Sequence, residues 1–407
     1  MSKETKTAEE IRNSEQIQEK LRLLTRLLPS WFMEHRRELP WRFTGDPYDV
    51  WLSEIMLQQT RVEAVRGYFL RFREALPDIK SLAACPDETL LKLWEGLGYY
   101  SRVRNLKKCA VCLVQEYGGK LPADHGVLLK LPGIGPYTAG AIASIAFSLP
   151  VPAVDGNVLR VYARITGDAS DIALPETKKS VEKAFGKVIA EAADAAAGFD
   201  AGIFNQALME LGAIVCVPNG TPLCGECPAR ECCSARCEGR IGELPVKSGK
   251  KARRTEERTI VILQDGDRFL IQKRPDKGLL AGMYEFPALA GFCSEAEVLE
   301  AVKRAGFEAM HIRRLPDAKH IFTHVEWHMQ AYLVRIAAES RGWQESGWPS
   351  VDNSMEKESP SEIKSWIGPH QFVTKEETEE RYALPSAFSV YAKALLIEQG
   401  AERLQKR

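Results

Sequence analysis

Five of the ten cysteines, Cys216, Cys224, Cys227, Cys232 and Cys233, crowd into one short stretch. Thiols this close in a reducing compartment serve metal ligation rather than disulfides. Spacing alone leaves a four-cysteine zinc site and an iron–sulfur cluster both open. A second chemical feature is the run Leu131-Pro-Gly-Ile-Gly-Pro-Tyr-Thr138. Gly133 and Gly135 allow a tight turn, and the apolar residues from Ala139 to Phe147 begin a helix, so free N–H groups and the helix dipole converge on one spot. Such a cradle suits a single nucleic-acid phosphate, a contact that positions a protein without reading bases. A plain helix–turn–helix corner is the bland alternative, and for a lone Gly-x-Gly the better one. Asp155, in Ala-Val-Asp-Gly-Asn-Val, stands before a helix that begins near Asn157 and reads in isolation as an N-cap.

These strings do not stand alone. Leu-Pro-Gly-Ile-Gly-x-x-Thr-Ala resembles the helix–hairpin–helix of DNA repair glycosylases. Trp51-Leu-Ser-Glu-Ile-Met-Leu-Gln-Gln-Thr60 and Trp94-Glu-Gly-Leu-Gly-Tyr-Tyr-Ser-Arg-Val-Arg-Asn105 are similar to one branch of that superfamily. That branch is the MutY family, the adenine DNA glycosylases that act on adenine opposite 8-oxoguanine, and also opposite guanine. The resemblance implies cleavage of the deoxyadenosine N-glycosidic bond in duplex DNA that carries such a mispair. Adenine is a poor leaving group as an anion, so a general acid must supply a proton, and a carboxylate must stabilise the oxocarbenium-like sugar. By resemblance Glu54 is the acid, set in a helix among Ile55, Met56 and Leu57 where desolvation raises its pKa. Asp155 is the ionised partner, oriented by Asn157. Tyr137 occupies the position at which bifunctional relatives of the endonuclease III type carry a Schiff-base lysine. Tyrosine forms no imine, which implies a monofunctional glycosylase, with Tyr137 assisting the sugar intermediate.

The target base must be extruded from the stack. By family analogy Gln59 and Tyr99 fill the space around the lesion, and Arg37, Leu39 and Trp41 line the adenine pocket. Trp41 as ordinary core is nearly as good a reading. The family's cysteine pattern, Cys-x6-Cys-x2-Cys-x5-Cys, holds a [4Fe–4S] cluster. In this chain the first gap runs from Val217 to Leu223 and is one residue longer. The resemblance therefore implies Cys216, Cys224, Cys227 and Cys233 as ligands; Cys233 rather than Cys232 keeps the last gap at five. Cys85, Cys109, Cys112 and Cys293 read as incidental thiols.

The elements that must position these groups divide the chain. Residues 1–15 are polar and expected to be disordered. Residues 16–237 carry a helical period and hold the all-α helix–hairpin–helix region, with the cysteine segment at 216–233. Asp46 and Pro47 open the helix that carries Glu54. Residues 238–258 read as a linker, and 259–399 as an α+β domain that opens with a hairpin around Gln264-Asp-Gly-Asp. The tail is 400–407, and 339–362 is expected to be a long polar loop. Gly278-Leu-Leu-Ala-Gly-Met-Tyr-Glu-Phe-Pro287 resembles the start of a Nudix-like module, while Leu299–Gly306 lacks the Arg-Glu-x-x-Glu-Glu run that binds Mg²⁺. A binding module without hydrolase activity follows. Phe322, Thr323 and His324 correspond to the family's Phe-Ser-His loop that reads 8-oxoguanine, with Thr323 in place of serine. His324 as a plain strand histidine is the alternative.

Composition says less. Formal net charge is zero over 407 residues, which gives no hint of nucleic acid. Basic clusters occur at Arg102, Arg104, Lys107 and Lys108 and at Lys250, Lys251, Arg253 and Arg254, each as easily a solvated face as a DNA contact. No apolar run approaches a membrane span, and no signal-peptide core is present, so a monomer in the cytoplasm of bacterial type, nucleoid-associated while acting on DNA, is expected. Other readings are a bifunctional pyrimidine-lesion glycosylase/lyase, a Nudix hydrolase and an inactive DNA-binding protein. Tyr137, the missing acidic run, and the retention of Glu54 with Asp155 stand against them in turn.

Overall fold

The computed structural model describes residues 8–249, 252–337 and 366–392. Residues 339–362, expected to be a polar loop, residues 400–407, residues 1–7 and the pair Lys250 and Lys251 lie outside the described residues. Two compact units emerge, one of residues 1–85 and 101–250, the other of 86–100 and 251–407. Residues 86–100 thus group with the second unit although they sit within the helical half of the sequence.

The first unit is helical: α1 Ala8–His35, α2 Pro47–Leu57, α3 Val62–Ala75, α4 Ile79–Ala84, then, after the second unit's α5 Asp87–Leu93, α6 Ser101–Glu116, α7 His125–Leu128, α8 Pro136–Ala141, α9 Gly156–Thr166, α10 Pro175–Ala195, α11 Ala201–Glu210 and α12 Ser234–Cys237. α1 begins at Ala8, inside the stretch expected to be disordered. Leu21, Leu24 and Leu28 of α1 pack on Val158, Val161 and Ile165 of α9 and on Phe204 and Leu208 of α11 in one core. Apolar positions three and four apart place those side chains on single faces. Both α8 and α11 run on into π-helical turns, Ile142–Ala146 and Leu211–Val215.

The expected linker is partly tethered. Arg164 Nε donates to the Leu244 carbonyl at 2.8 Å, Ile172 N to Val246 O at 3.0 Å, and Ser248 N to Asp171 Oδ2 at 3.1 Å. At its other end β1, Arg254–Asp265, starts within the stretch assigned to it. Backbone groups that find partners need not stay in water, whatever the Gly and Lys content of the segment.

The second unit is a mixed sheet with strand order β3-β2-β1-β6-β5, built from β1, β2 Arg268–Lys273, β3 Tyr284–Glu285, β4 Ala288–Ala290, β5 Ala309–Ile321, β6 Val325–Ile336 and β7 His370–Val373; β4 also pairs β1 and β7 pairs β2. The expected hairpin is present, with Asp265 opposite Arg268 across a two-residue turn whose Gly266 has φ +61°. β1 lies parallel to β6 over its length. Ile260 and Ile262 face one core of this sheet, and Val261 and Leu263 the other. That explains why Thr259-Ile-Val-Ile-Leu reads as a continuous apolar run rather than an alternation. Val298 and Val302 of α13, Glu295–Arg304, cover the second face.

Candidate active site

A cleft of 980 Å³ in the helical unit gathers residues from distant parts of the sequence. α2 supplies Glu54; α8 supplies Tyr137; the start of α9 supplies Asp155 and Asn157; Arg37, Leu39, Trp41, Gln59 and Gly135 line it as well, whereas Gly133, Tyr99, Phe322, Thr323 and His324, also singled out from sequence, do not. Asp46 caps α2 by accepting from Tyr48 N, with Pro47 at its first position, so the helix start is fixed and its buried face carries Glu54 into the cleft.

Glu54 is buried, and its Oε2 accepts a hydrogen bond from the Tyr137 hydroxyl at 2.5 Å. Desolvation pushes its carboxyl up to about 7, with the Asp155 charge adding to the rise and the Tyr137 hydroxyl and Arg42 opposing it. Burial likewise holds the Tyr137 phenol well above its usual range, so it remains a neutral donor. Asp155 is the N-cap of α9: Oδ1 accepts from Val158 N at 2.8 Å and Oδ2 from Asn157 Nδ2 at 2.7 Å. Burial raises this carboxyl from its ordinary value, and the two N–H donors and Arg160 work against that rise. The cap reading therefore holds, and it leaves the carboxyl lining the cleft.

Asn157 is itself fixed. Arg160 Nη2 donates to Asn157 Oδ1 at 2.8 Å and to the Gly212 carbonyl at 2.7 Å, and its Nε to the Cys216 carbonyl at 2.8 Å. A Cβ on Gly212 would lie 2.6 Å from Asn157 Cβ, so only glycine lets the π-helical turn approach this closely. Arg160→Gln is expected to slow base release by about 10- to 100-fold through misplacement of Asp155. Single-turnover rates measured beside thermal midpoints check this; a rate loss matched by unfolding would argue against it. Neither Arg160 nor Glu210 was apparent as a site residue from sequence. The available signal was a charge embedded in an apolar helical run, as in Met209-Glu-Leu-Gly.

Arg37 does not project freely into the cleft; its guanidinium is paired with Glu210. Trp41 is at once cleft wall and core, buried and set edge-on to Phe69 at 5.3 Å. Gln59 adopts φ +59°, a left-handed backbone unusual for its type, at the end of α2. Arg102 Nη1 grips the carbonyls of Ile55, Met56 and Gln58 just before it, at 2.7–2.9 Å. The two glycines of the turn differ. Gly133 has φ +75°, and a Cβ there would strike Asn105 Cβ at 2.6 Å. Gly135 is the N-cap of α8 at an ordinary φ of −90° with open space beside it, so the tight turn does not require glycine at that position.

In the second unit, Thr323 Oγ1 donates to the Tyr99 hydroxyl at 3.4 Å, and Tyr99 has φ +48°. Thr323 and His324 are exposed between β5 and β6. Phe322 is half-buried, edge-on to Trp327 and His320 at 4.8 and 4.6 Å, and so anchors the loop rather than presenting a face.

Cys216, Cys224, Cys227 and Cys233 line one small cavity together with Arg164, Arg230 and Arg236. Arg164 Nη1 donates to Cys216 Sγ at 3.3 Å. Cys232 lies off this cavity and turns its thiol to the Ala229 carbonyl. Burial pushes the Cys227 thiol up to about 12, so that sulfur ionises only against a cation. Among the described residues no three His, Cys, Asp or Glu side chains converge as they would around a single metal ion.

Comparison with known proteins decides the family. A family model described as "HhH-GPD superfamily base excision DNA repair protein" matches residues 52–191, and a NUDIX domain model matches 258–394. The adenine DNA glycosylase of Homo sapiens is 35% identical over 373 residues, covering 77% of this chain and 67% of that protein. That of Buchnera aphidicola subsp. Baizongia pistaciae is 33% identical over 302 residues, covering 74% and 82%. The chain belongs to the adenine DNA glycosylase family. As a member of that family it is a hydrolase of N-glycosyl bonds in base excision repair, with DNA as its partner and a Nudix-like domain after the helical region. None of the helices among the described residues is long and apolar enough to cross a membrane.

Proposed function

We propose that this adenine DNA glycosylase extrudes adenine mispaired with 8-oxoguanine, or with guanine, and hydrolyses it away to leave an abasic site in an intact strand. The observation that carries the reading is a pair of carboxyls in unlike surroundings on one cleft, Glu54 buried and Asp155 half-buried. Glu54, desolvated and given a hydrogen bond by the Tyr137 phenol, holds a proton near neutral pH. That proton goes to adenine as the bond breaks, so the base leaves neutral. Asp155, met by two N–H donors at a helix start, stands as the carboxylate against the cationic sugar. Water then adds to the sugar, and its proton returns to Glu54. Tyr137 offers no amine, so no imine forms and the strand is not cut. Tyr99 and Thr323, hydroxyl to hydroxyl in the second unit, support recognition of the oxidised purine.

Cys216, Cys224, Cys227 and Cys233 would hold the [4Fe–4S] cluster, whose anionic character suits the three surrounding guanidinium groups. When bound it supplies a cross-link between segments of the chain; the proposed reaction uses no redox step. The enzyme acts as a monomer on duplex DNA.

The test is a duplex with one labelled adenine opposite 8-oxoguanine, and a second opposite thymine, read with and without alkali. Cleavage is expected only for the 8-oxoguanine pair and only after alkali. Nicking without alkali would revive a lyase, and equal loss of adenine opposite thymine would remove the mispair specificity.

A further inference from the structure

Glu210 takes no part in the chemistry above, yet at 1% exposure it is more deeply buried than Glu54 on the same cleft. It ends α11 and receives two arginines at once. Its Oε1 accepts from Arg37 N at 2.9 Å and Arg37 Nε at 2.8 Å, and its Oε2 from Arg37 Nη2 and Arg42 Nη2, both at 2.8 Å. Arg42 Nη1 adds a bond to Oε1 at 3.2 Å and one to the Arg37 carbonyl at 3.0 Å. Phe32 backs the Arg42 guanidinium, its ring centroid 5.2 Å away. A single carboxylate thus fixes two guanidinium groups in a wall of the adenine pocket. This bidentate geometry is specific to arginine and carboxylate.

The arrangement bears on Glu54. Tyr137, Asp155 and Arg42 act on Glu54 directly, and Arg42 is the cation that favours its ionised form. Arg37, Glu210, Arg61, Glu63 and Lys178 are the other charged residues that line the cleft. We propose that Glu210 is a positioning residue that sets the working pH of the enzyme. By pairing Arg42, and Arg37 beside it, Glu210 offsets the guanidinium charge that favours the ionised form of the proton donor. Hydrogen bonds from both arginines hold Glu210 down at about 2, so it is a constant negative charge wherever the enzyme works. Removing that charge leaves the Arg37 and Arg42 guanidinium groups unanswered on the cleft, and a nearby opposite charge lowers a carboxyl pKa by about 1 or more. The inference rests on Glu54 being the proton donor.

Single-turnover adenine release is measured against pH, with the full chain and a duplex carrying adenine opposite 8-oxoguanine. Wild-type rates are expected to fall as pH rises through the neighbourhood of 7. Glu210→Gln should bring that fall to a pH lower by about 1. Arg42→Gln should move it to higher pH, and the double variant should return it near the wild-type position, whatever the maximal rates. A Glu210→Gln enzyme slower at every pH, with the fall in place, would mean a purely structural role and overturn the proposal. If Glu210→Gln does not fold, Arg42→Gln decides, since an unmoved fall there overturns it equally. A wild-type profile flat through neutrality would remove the reading of Glu54 as donor, and this inference with it. A normal wild-type fall with unmoved variants removes this inference alone.

Discussion

Glu54→Gln is expected to slow adenine release by about 10²–10⁴-fold, to leave mispair binding within a few-fold, and to stabilise the protein above neutral pH. Glutamine keeps the shape of the side chain and an oxygen to accept from the Tyr137 hydroxyl, but it has no proton to give. The stability effect follows from burial. The Glu54 carboxyl sits at about 7 in the folded chain against an ordinary 4.5, so folding takes up a proton between those values. Below pH 4.5 the group is neutral in both states and nothing is lost. As pH rises through 7 the folded chain must bury a charge, and stability falls by up to a few kcal/mol, at ~1.4 kcal/mol for each pH step of 1 between the two values. The variant escapes that loss. Its melting temperature should exceed that of the wild type by a few degrees at pH 8, and by much less at pH 5. A loss of binding together with activity, or an equal thermal change at both pH values, would mark Glu54 as structural instead.

Local rules made some parts of this molecule readable before any coordinates. Asp46-Pro47 announced a helix start, Gln264-Asp-Gly-Asp a hairpin, and the resemblance at Leu131–Thr138 and Trp51–Thr60 brought Glu54, Tyr137 and Asp155 together although they are far apart in sequence. Contacts that depend on tertiary packing were not readable. Nothing local to Arg37 says that its guanidinium is spoken for by Glu210, nor does anything near Asp155 reveal the Asn157–Arg160–Cys216 chain behind it. Composition misled at residues 238–258, because a Gly- and Lys-rich stretch looks solvated until its backbone is seen bonded to Asp171, Ile172 and Arg164. The grouping of residues 86–100 with the second unit is of the same kind. It depends on Glu88 meeting Tyr284 and Lys273, on Lys92 reaching the carbonyls of Thr378 and Tyr382, and on Glu95 accepting from Leu384 N.

Asp155→Asn is expected to stop the enzyme without unseating the helix it caps. Asparagine is as good an N-cap as aspartate, and its side-chain oxygen can still accept from Val158 N–H, now 2.8 Å from Oδ1. The difficulty lies at the other oxygen. Asn157 Nδ2 donates there at 2.7 Å, so an amide NH₂ in that place would meet donor with donor. Asn157 cannot turn over without giving up its Oδ1 bond to Arg160. The mismatch costs about 1–3 kcal/mol, offset in part because a charge no longer has to be buried. The melting temperature should therefore stay within a few degrees of wild type. Base release should nevertheless fall by about 10²–10³-fold, the usual effect of removing a preorganised charge from a developing ion. A side chain that served only as a cap would show the reverse, with rates retained in Asp155→Asn and stability lost in Asp155→Ala. In the proposed mechanism Glu54 and Asp155 act on the same transition state, one on the leaving base and one on the sugar. The double variant Glu54→Gln with Asp155→Asn should then be little slower than the slower single variant. Rate losses that multiply would place the two carboxyls in separate steps.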